Sequence, residues 1–285
     1  MSYKTILVHL SDSRRAEKIL APAMHLAERY NSHLIGLHAH AVVHAPPVPM
    51  PYASGAVAKL AGQVRANAEG IAETFSRMSN GRPFVSEWQL HSVPMTELAA
   101  DVMSSGRAAD LIVAGQTDGT WDLSPLFDFP ERLALESGRP VLVIPHAGSH
   151  VNVGRNVVIA WKAGRESARA VFDALPLLKD AANVHILEFT ETQESQRRLA
   201  ADTSIGAALG RHGIKPVIHS IAAPGVRALA PDTSVGEQIL SRLVDLDADL
   251  LVMGAYGHSR MREMIFGGVT RHLMREMTVP TLFSH

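Results

Sequence analysis

The sequence predicts an α/β protein made of two tandem domains, each an open five-stranded parallel sheet with helices on both faces. Two observations carry that expectation. Short apolar runs alternate with longer segments of helical periodicity, as strand–helix–strand crossovers require. The pattern also occurs twice. Asp110-Leu-Ile-Val-Ala-Gly115 recurs as Asp249-Leu-Leu-Val-Met-Gly254, each followed about twenty-five residues later by an apolar run with proline at or just before its start. Those runs are Arg139-Pro-Val-Leu-Val-Ile144 and Val279-Pro-Thr-Leu-Phe283. A period of about 140 residues is too long for a solenoid and indicates two related domains.

In the first half, strands are expected at 5–10, 33–40, 84–91, 110–115 and 140–145, with helices at about 14–30, 56–79 and 95–107. The second half repeats the strands at 156–161, 183–189, 216–221, 249–254 and 279–283, with a helix from Arg165 to Leu178. Pro145 to Gly154, rich in turn formers, reads as the join, giving domains 1–147 and 154–285. His44 to Ser54, with four prolines, and Ala222 to Asp232 read as surface excursions. Asp12, in Ser11-Asp12-Ser13 before a helix, is expected to cap it.

Composition narrows the class of function. With 285 residues and 46% hydrophobic content, the chain can furnish two substantial cores. A formal net charge of -1 supplies no global basic field for nucleic acid or an anionic membrane, so small molecules or protein partners are the expected ligands. The absence of cysteine excludes disulfides, thiol catalysis and cysteine-ligated metal. No apolar stretch approaches the ~20 residues of a membrane span, and no signal sequence is recognised at the N-terminus, so a soluble cytoplasmic protein is expected. His38 and His40 share one side of a strand, but no His-Glu-x-x-His pattern accompanies them and no metal site is expected.

The chemistry concentrates near the C-terminus. Gly254-Ala-Tyr-Gly257 is followed by Gly267-Gly268-Val269-Thr270, between an expected strand and an expected helix. Glycines there let the backbone turn and approach a ligand, and the free N–H groups of a helix start favour an anion. A tight strand-to-helix connection without a ligand is the alternative reading. The run from Gly254 to Thr270, together with the repeat and the strand order, resembles the universal stress protein family, strongly in the second half and by fold pattern alone in the first.

That resemblance implies a Rossmann-like sheet, a crevice between the first and fourth strands of each domain, and pairing of the two final strands, Val141 to Ile144 with Thr281 to Phe283. It also implies that the second domain binds ATP or another adenine nucleotide, with Mg, through Gly254, Gly257, Gly267, Val269 and Thr270, and the residues around these, Ala160, Trp161, Lys162, Leu187, His258, Arg260 and Gly268, are the further candidates for that site. The sequence departs from the family pattern in two places. Gly268 stands where a hydroxyl residue is expected, and Ala160-Trp161-Lys162-Ala163-Gly164 lacks the acid expected after the first strand. Trp161 can stack on a base, Lys162 or Arg260 can meet phosphate oxygens, and His258 or Arg260 can supply positive charge. Glu188 is a candidate replacement acid, or else a solvated strand end.

The first half keeps the opposite portion. Asp12 follows its first strand, but Gly115 to Asp122 has the wrong glycine spacing and places Asp118 and Asp122 where phosphate would lie. The expectation is a stress-response protein with a nucleotide-binding second domain, a degenerate first domain, an unidentified protein partner and a homodimer. The alternatives are a scaffold with no nucleotide, or a weak ATPase or autophosphorylating protein.

Overall fold

The computed structural model describes residues 2–42, 53–190, 204–222, 233–255 and 268–285. Almost all of the two expected excursions lies outside them. Ten strands form where the apolar runs predict them: β1 (Thr5–His9), β2 (His33–Ala41), β3 (Ser86–Val93), β4 (Leu111–Gly115), β5 (Val141–Ile144), β6 (Asn156–Trp161), β7 (Asn183–Thr190), β8 (Val217–Ala222), β9 (Leu250–Gly254) and β10 (Thr281–Ser284). By contact, the chain divides into Tyr3–Arg139 and a second unit containing Pro140–His285. The division precedes β5, so this strand groups with the second unit.

In the first unit the parallel order is β3-β2-β1-β4. Helix α1 (Ala16–Tyr30) follows β1, and Asn31 ends it in the left-handed conformation at φ 49°, as a helix C-terminus favours. Asp12 is not the cap residue. Its Oδ1 accepts the backbone N–H of Arg14 two residues on, an Asx turn that delays the helix to Ala16. Helix α2 (Ala53–Ser79) and helix α3 (Leu98–Gly106), the latter entered through a 3₁₀ turn at Met95–Glu97, cover opposite faces. Phe75 of α2 lies against Gly36, whose register partner is Val8, whereas Gly106 of α3 lies against Ile112. Val113 pairs with Val8, so Ile112, one residue before it, points to the other face. Two short helices, α4 (Ser124–Phe127) and α5 (Pro130–Glu136), follow β4.

The second unit runs β5-β10-β9-β6-β7-β8. Its five later strands are parallel, and β5 joins β10 antiparallel with Thr281 opposite Val143, Leu282 opposite Leu142 and Phe283 opposite Val141. Pairing of these two final strands is therefore present. All six residues are fully buried, so β10 has no free edge. The helix expected from Arg165 to Leu178 is broken into α6 (Arg165–Asp173) and α7 (Leu175–Lys179). Pro176 has no N–H for the carbonyl of Phe172, which explains the break. Helices α8 (Ile205–Arg211), α9 (Thr233–Asp245) and α10 (Gly268–Glu276) complete the described elements. No helix among the described residues is long and apolar enough to cross a membrane.

Two packing features of the first unit have measurable consequences. A Cβ on Gly36 would enter the ring of Phe75, which is itself buried. Gly36→Ala is expected to destabilise the first unit by about 1–3 kcal/mol, and Phe75→Leu in that background to restore part of the loss, as read by urea unfolding. His9 and His38 are buried, stacked on Phe129 at 4.8 Å and on Phe127 at 5.9 Å. Burial, with a smaller effect of His38, lowers the pKa of His9 to about 3. Burial likewise lowers that of His38 to about 4, against the hydrogen bond it donates to the Leu10 carbonyl. Both folded values lie below the unfolded one, so the unfolded chain binds more protons and stability falls as pH drops from about 6.5 toward 4. At pH 5 each ring is expected to cost about 2 kcal/mol relative to pH 7.5. Melting of His9→Phe at the two pH values should show a smaller acid loss than the native chain.

Candidate functional site

The strand order reverses between β9 and β6, where parallel α/β sheets form a crevice at their carboxyl ends. Register fixes which side chains face it. Ala160 pairs with Met253 and Leu187, whereas Trp161 pairs with Glu188, which in turn pairs with Ser220. Because faces alternate along each strand, Trp161, Glu188, Ser220 and Gly254 share one face, joined by Ser284, the partner of Gly254. Five adjacent strands thus contribute to one row near their carboxyl ends. The row lies on the face covered by α6: a Cβ on Gly254 would sit 2.6 Å from the Glu166 carbonyl carbon and 2.7 Å from the Ser167 nitrogen. Only glycine permits that approach of backbone to backbone.

The expected binding residues distribute unevenly over this geometry. Trp161 is half-buried in the row and Lys162 is exposed just beyond it. Leu187 is fully buried on the opposite face with Ala160, so only its backbone is left to flank a ligand on the Trp161 side. The residue that shares the face of Trp161 is Glu188. Gly268 and Val269 are half-buried in the first turn of α10, and Thr270 behind them is buried. Gly257, His258, Arg260 and Gly267 lie outside the described residues. Strand β9 ends at Gly254 and α10 starts at Gly268, so the glycine-rich run spans the strand-to-helix connection.

Two polar atoms in the row are buried without a hydrogen-bond partner among the described residues, Glu188 Oε2 and Ser284 Oγ. Burial pushes the Glu188 pKa up. Buried polar groups are nearly always satisfied, so both atoms have unused hydrogen-bonding capacity. The sequence pointed to Glu188 by its strand position. It gave no signal for Ser284, which becomes a neighbour of Gly254 only through the β9–β10 register.

The equivalent crevice of the first unit is filled by its own chain. Asp128, which no motif singled out, accepts hydrogen bonds from Ser11 Oγ at 2.6 Å, Ser124 Oγ at 2.9 Å and the Asp118 N–H at 3.1 Å. The buried Arg15 guanidinium lies 3.8 Å from it and donates to the Gln116 carbonyl at 2.6 Å. Arg15 crosses Gly115, where a Cβ would collide with it. Phe127, also buried, stacks on His38 and on Trp121 at 5.8 Å. The two carboxylates expected to repel phosphate are employed locally. The Thr120 hydroxyl, assisted by Arg15 and Arg14, holds the Asp118 carboxyl below its usual range, and Asp122 adds to the negative field on Arg14. Asp12 binds Arg14 through both oxygens, with the closest contact at 2.7 Å. Among the described residues no group of three or more His, Asp or Glu side chains is placed to hold a metal ion.

Removing Asp128 leaves a buried guanidinium without its counter-charge. Asp128→Ala is expected to destabilise the first unit by about 3–5 kcal/mol, and Asp128→Asn by less, in chemical denaturation.

The universal stress protein family matches residues 154–285. Universal stress protein Slr1230 of Synechocystis sp. is 26% identical over 155 residues, 53% of this chain and 49% of that protein, so the match spans about half the length of the relative. The crystal structure of a universal stress protein from Archaeoglobus fulgidus superposes with a TM-score of 0.68 at 15% identity, covering 98% of this chain and 95% of the other. Protein PA1789 from Pseudomonas aeruginosa gives 0.60 at 15% identity, over 99% and 92%. At such identities the likeness establishes the fold. The family match covers residues 154–285, so it is the second unit that is similar to universal stress proteins in sequence.

Proposed function

We propose that the chain is a cytoplasmic stress-response protein whose C-terminal unit binds ATP or a related adenine nucleotide as a regulatory ligand, while the N-terminal unit serves as a structural partner with a self-filled crevice. The observation that carries this reading is the position of the glycine-rich run. It joins the end of β9, beside the switch point, to the first turn of α10, where backbone N–H groups without intrahelical partners favour phosphate. Gly268, Val269 and Thr270 form that turn. Trp161 offers a planar surface for a base, and Lys162, exposed beside it, offers positive charge. Mg would compensate the charge of a bound triphosphate.

Titration of nucleotide-stripped protein with MgATP tests the reading. Binding heat is expected, with thermal stabilisation worth about 2.7 kcal/mol when ligand reaches a hundredfold excess over Kd. Gly257→Glu, which puts bulk and negative charge into the glycine-rich run, should abolish both signals without lowering the melting temperature of the free protein. Absence of heat and of stabilisation at millimolar ATP would overturn the proposal. Mass spectrometry of small molecules released from protein purified without added nucleotide would identify a ligand that co-purifies.

A further inference from the structure

Glu188 occupies a chemically unusual place. It lies on β7 between Trp161 of β6 and Ser220 of β8, its Oε2 is buried, and no group among the described residues donates to that atom. An unpaired buried carboxylate costs free energy that a donor from a ligand would recover. The donor cannot be a phosphate, which is anionic and would be repelled. Phosphate has its own expected position after β9, two strands away across β6, a separation of roughly 10 Å at ordinary strand spacing. A nucleotide laid across the strand ends with its phosphates near Gly254 therefore brings its sugar toward Glu188. The ribose 2′ and 3′ hydroxyls supply two neighbouring O–H donors, which one carboxylate accepts together. An acid near the end of the second strand is also where nucleotide-binding parallel sheets meet the ribose. The segment after β6, Lys162-Ala163-Gly164, contains no acid that could take this part instead.

We infer that Glu188 is the sugar-reading residue of the second-unit site, accepting hydrogen bonds from the ribose hydroxyls and so selecting ribonucleotides over their deoxy forms. The inference rests on the nucleotide reading above. In the free protein, Glu188 stands ready as an acceptor whose partner arrives with the ligand.

Calorimetry on the full chain with ATP, 2′-deoxy-ATP and inorganic tripolyphosphate separates the two ideas. The native protein should bind ATP about tenfold more tightly than 2′-deoxy-ATP. Glu188→Ala should weaken ATP binding by about tenfold and make ATP and 2′-deoxy-ATP equivalent, leaving tripolyphosphate binding unchanged. Glu188→Gln keeps the shape of the side chain and serves if the alanine variant does not fold. It should reduce the discrimination and raise the melting temperature of the free protein, because the unpaired charge is gone. Equal affinity of the native protein for ATP and 2′-deoxy-ATP, or discrimination that survives in both variants, overturns the sugar-reading role while leaving nucleotide binding intact. Failure of the native protein to bind any nucleotide overturns both.

Discussion

The approach of the helix after the first strand to the end of the fourth strand is the constraint on which each unit depends. In both units a glycine at that strand end makes it possible. Gly115 admits the Arg15 side chain across β4, and Gly254 admits the backbone of Glu166 and Ser167 against β9. A side chain at Gly254 would push the helix backbone outward, whereas one at Gly115 would displace the Arg15 and Ile19 side-chain ends. The same packing decides what the crevice can hold, because it sets how much space remains above the strand ends. Gly254 is therefore explained by architecture before any ligand is considered, and the case for a phosphate rests on the glycines after it.

The two units use similar geometry for different ends. In the first, the chain after β4 turns back, and Asp128 gathers hydroxyl, amide and guanidinium donors while Phe127 fills the apolar volume beside His38. The crevice is filled by its own chain, although His9 Nε2, His38 Nε2 and Arg15 Nη1 are buried there without a hydrogen-bond partner among the described residues. In the second, Trp161, Glu188 and Ser284 line a row in which two polar atoms have no partner among the described residues. The contrast is one of filling, since the first unit's own chain occupies its crevice. It arises from the side chains placed on the two frameworks, since the strand order around β1 and around β6 is alike.

Much of the fold was legible because parallel strands are apolar on both faces and announce themselves as short continuous runs. All ten strands appear where those runs stand, and the β5–β10 pairing implied by family resemblance forms with both strands buried. The departures are local. Pro176 divides a helix whose periodicity runs past it, and Asp12 folds into an Asx turn where a cap was expected, since an Asx turn and an N-cap draw on the same residue types. The site was legible as a motif and less so as an arrangement. Trp161 and Leu187 both look available in the sequence, yet alternation puts them on opposite faces and exchanges Leu187 for Glu188.

The sequence by itself determined the element types, the tandem repeat and the glycine-rich connection after β9, because hydrophobic periodicity and glycine spacing are local properties. Only the tertiary structure decided which polar groups are paired. Asp128 meets Ser11 across 117 residues of chain, and Ser284 reaches Gly254 through strand register. Satisfaction of a buried polar atom depends on partners brought together by the whole fold, so the filled crevice of the first unit and the unpaired Glu188 of the second became visible only there.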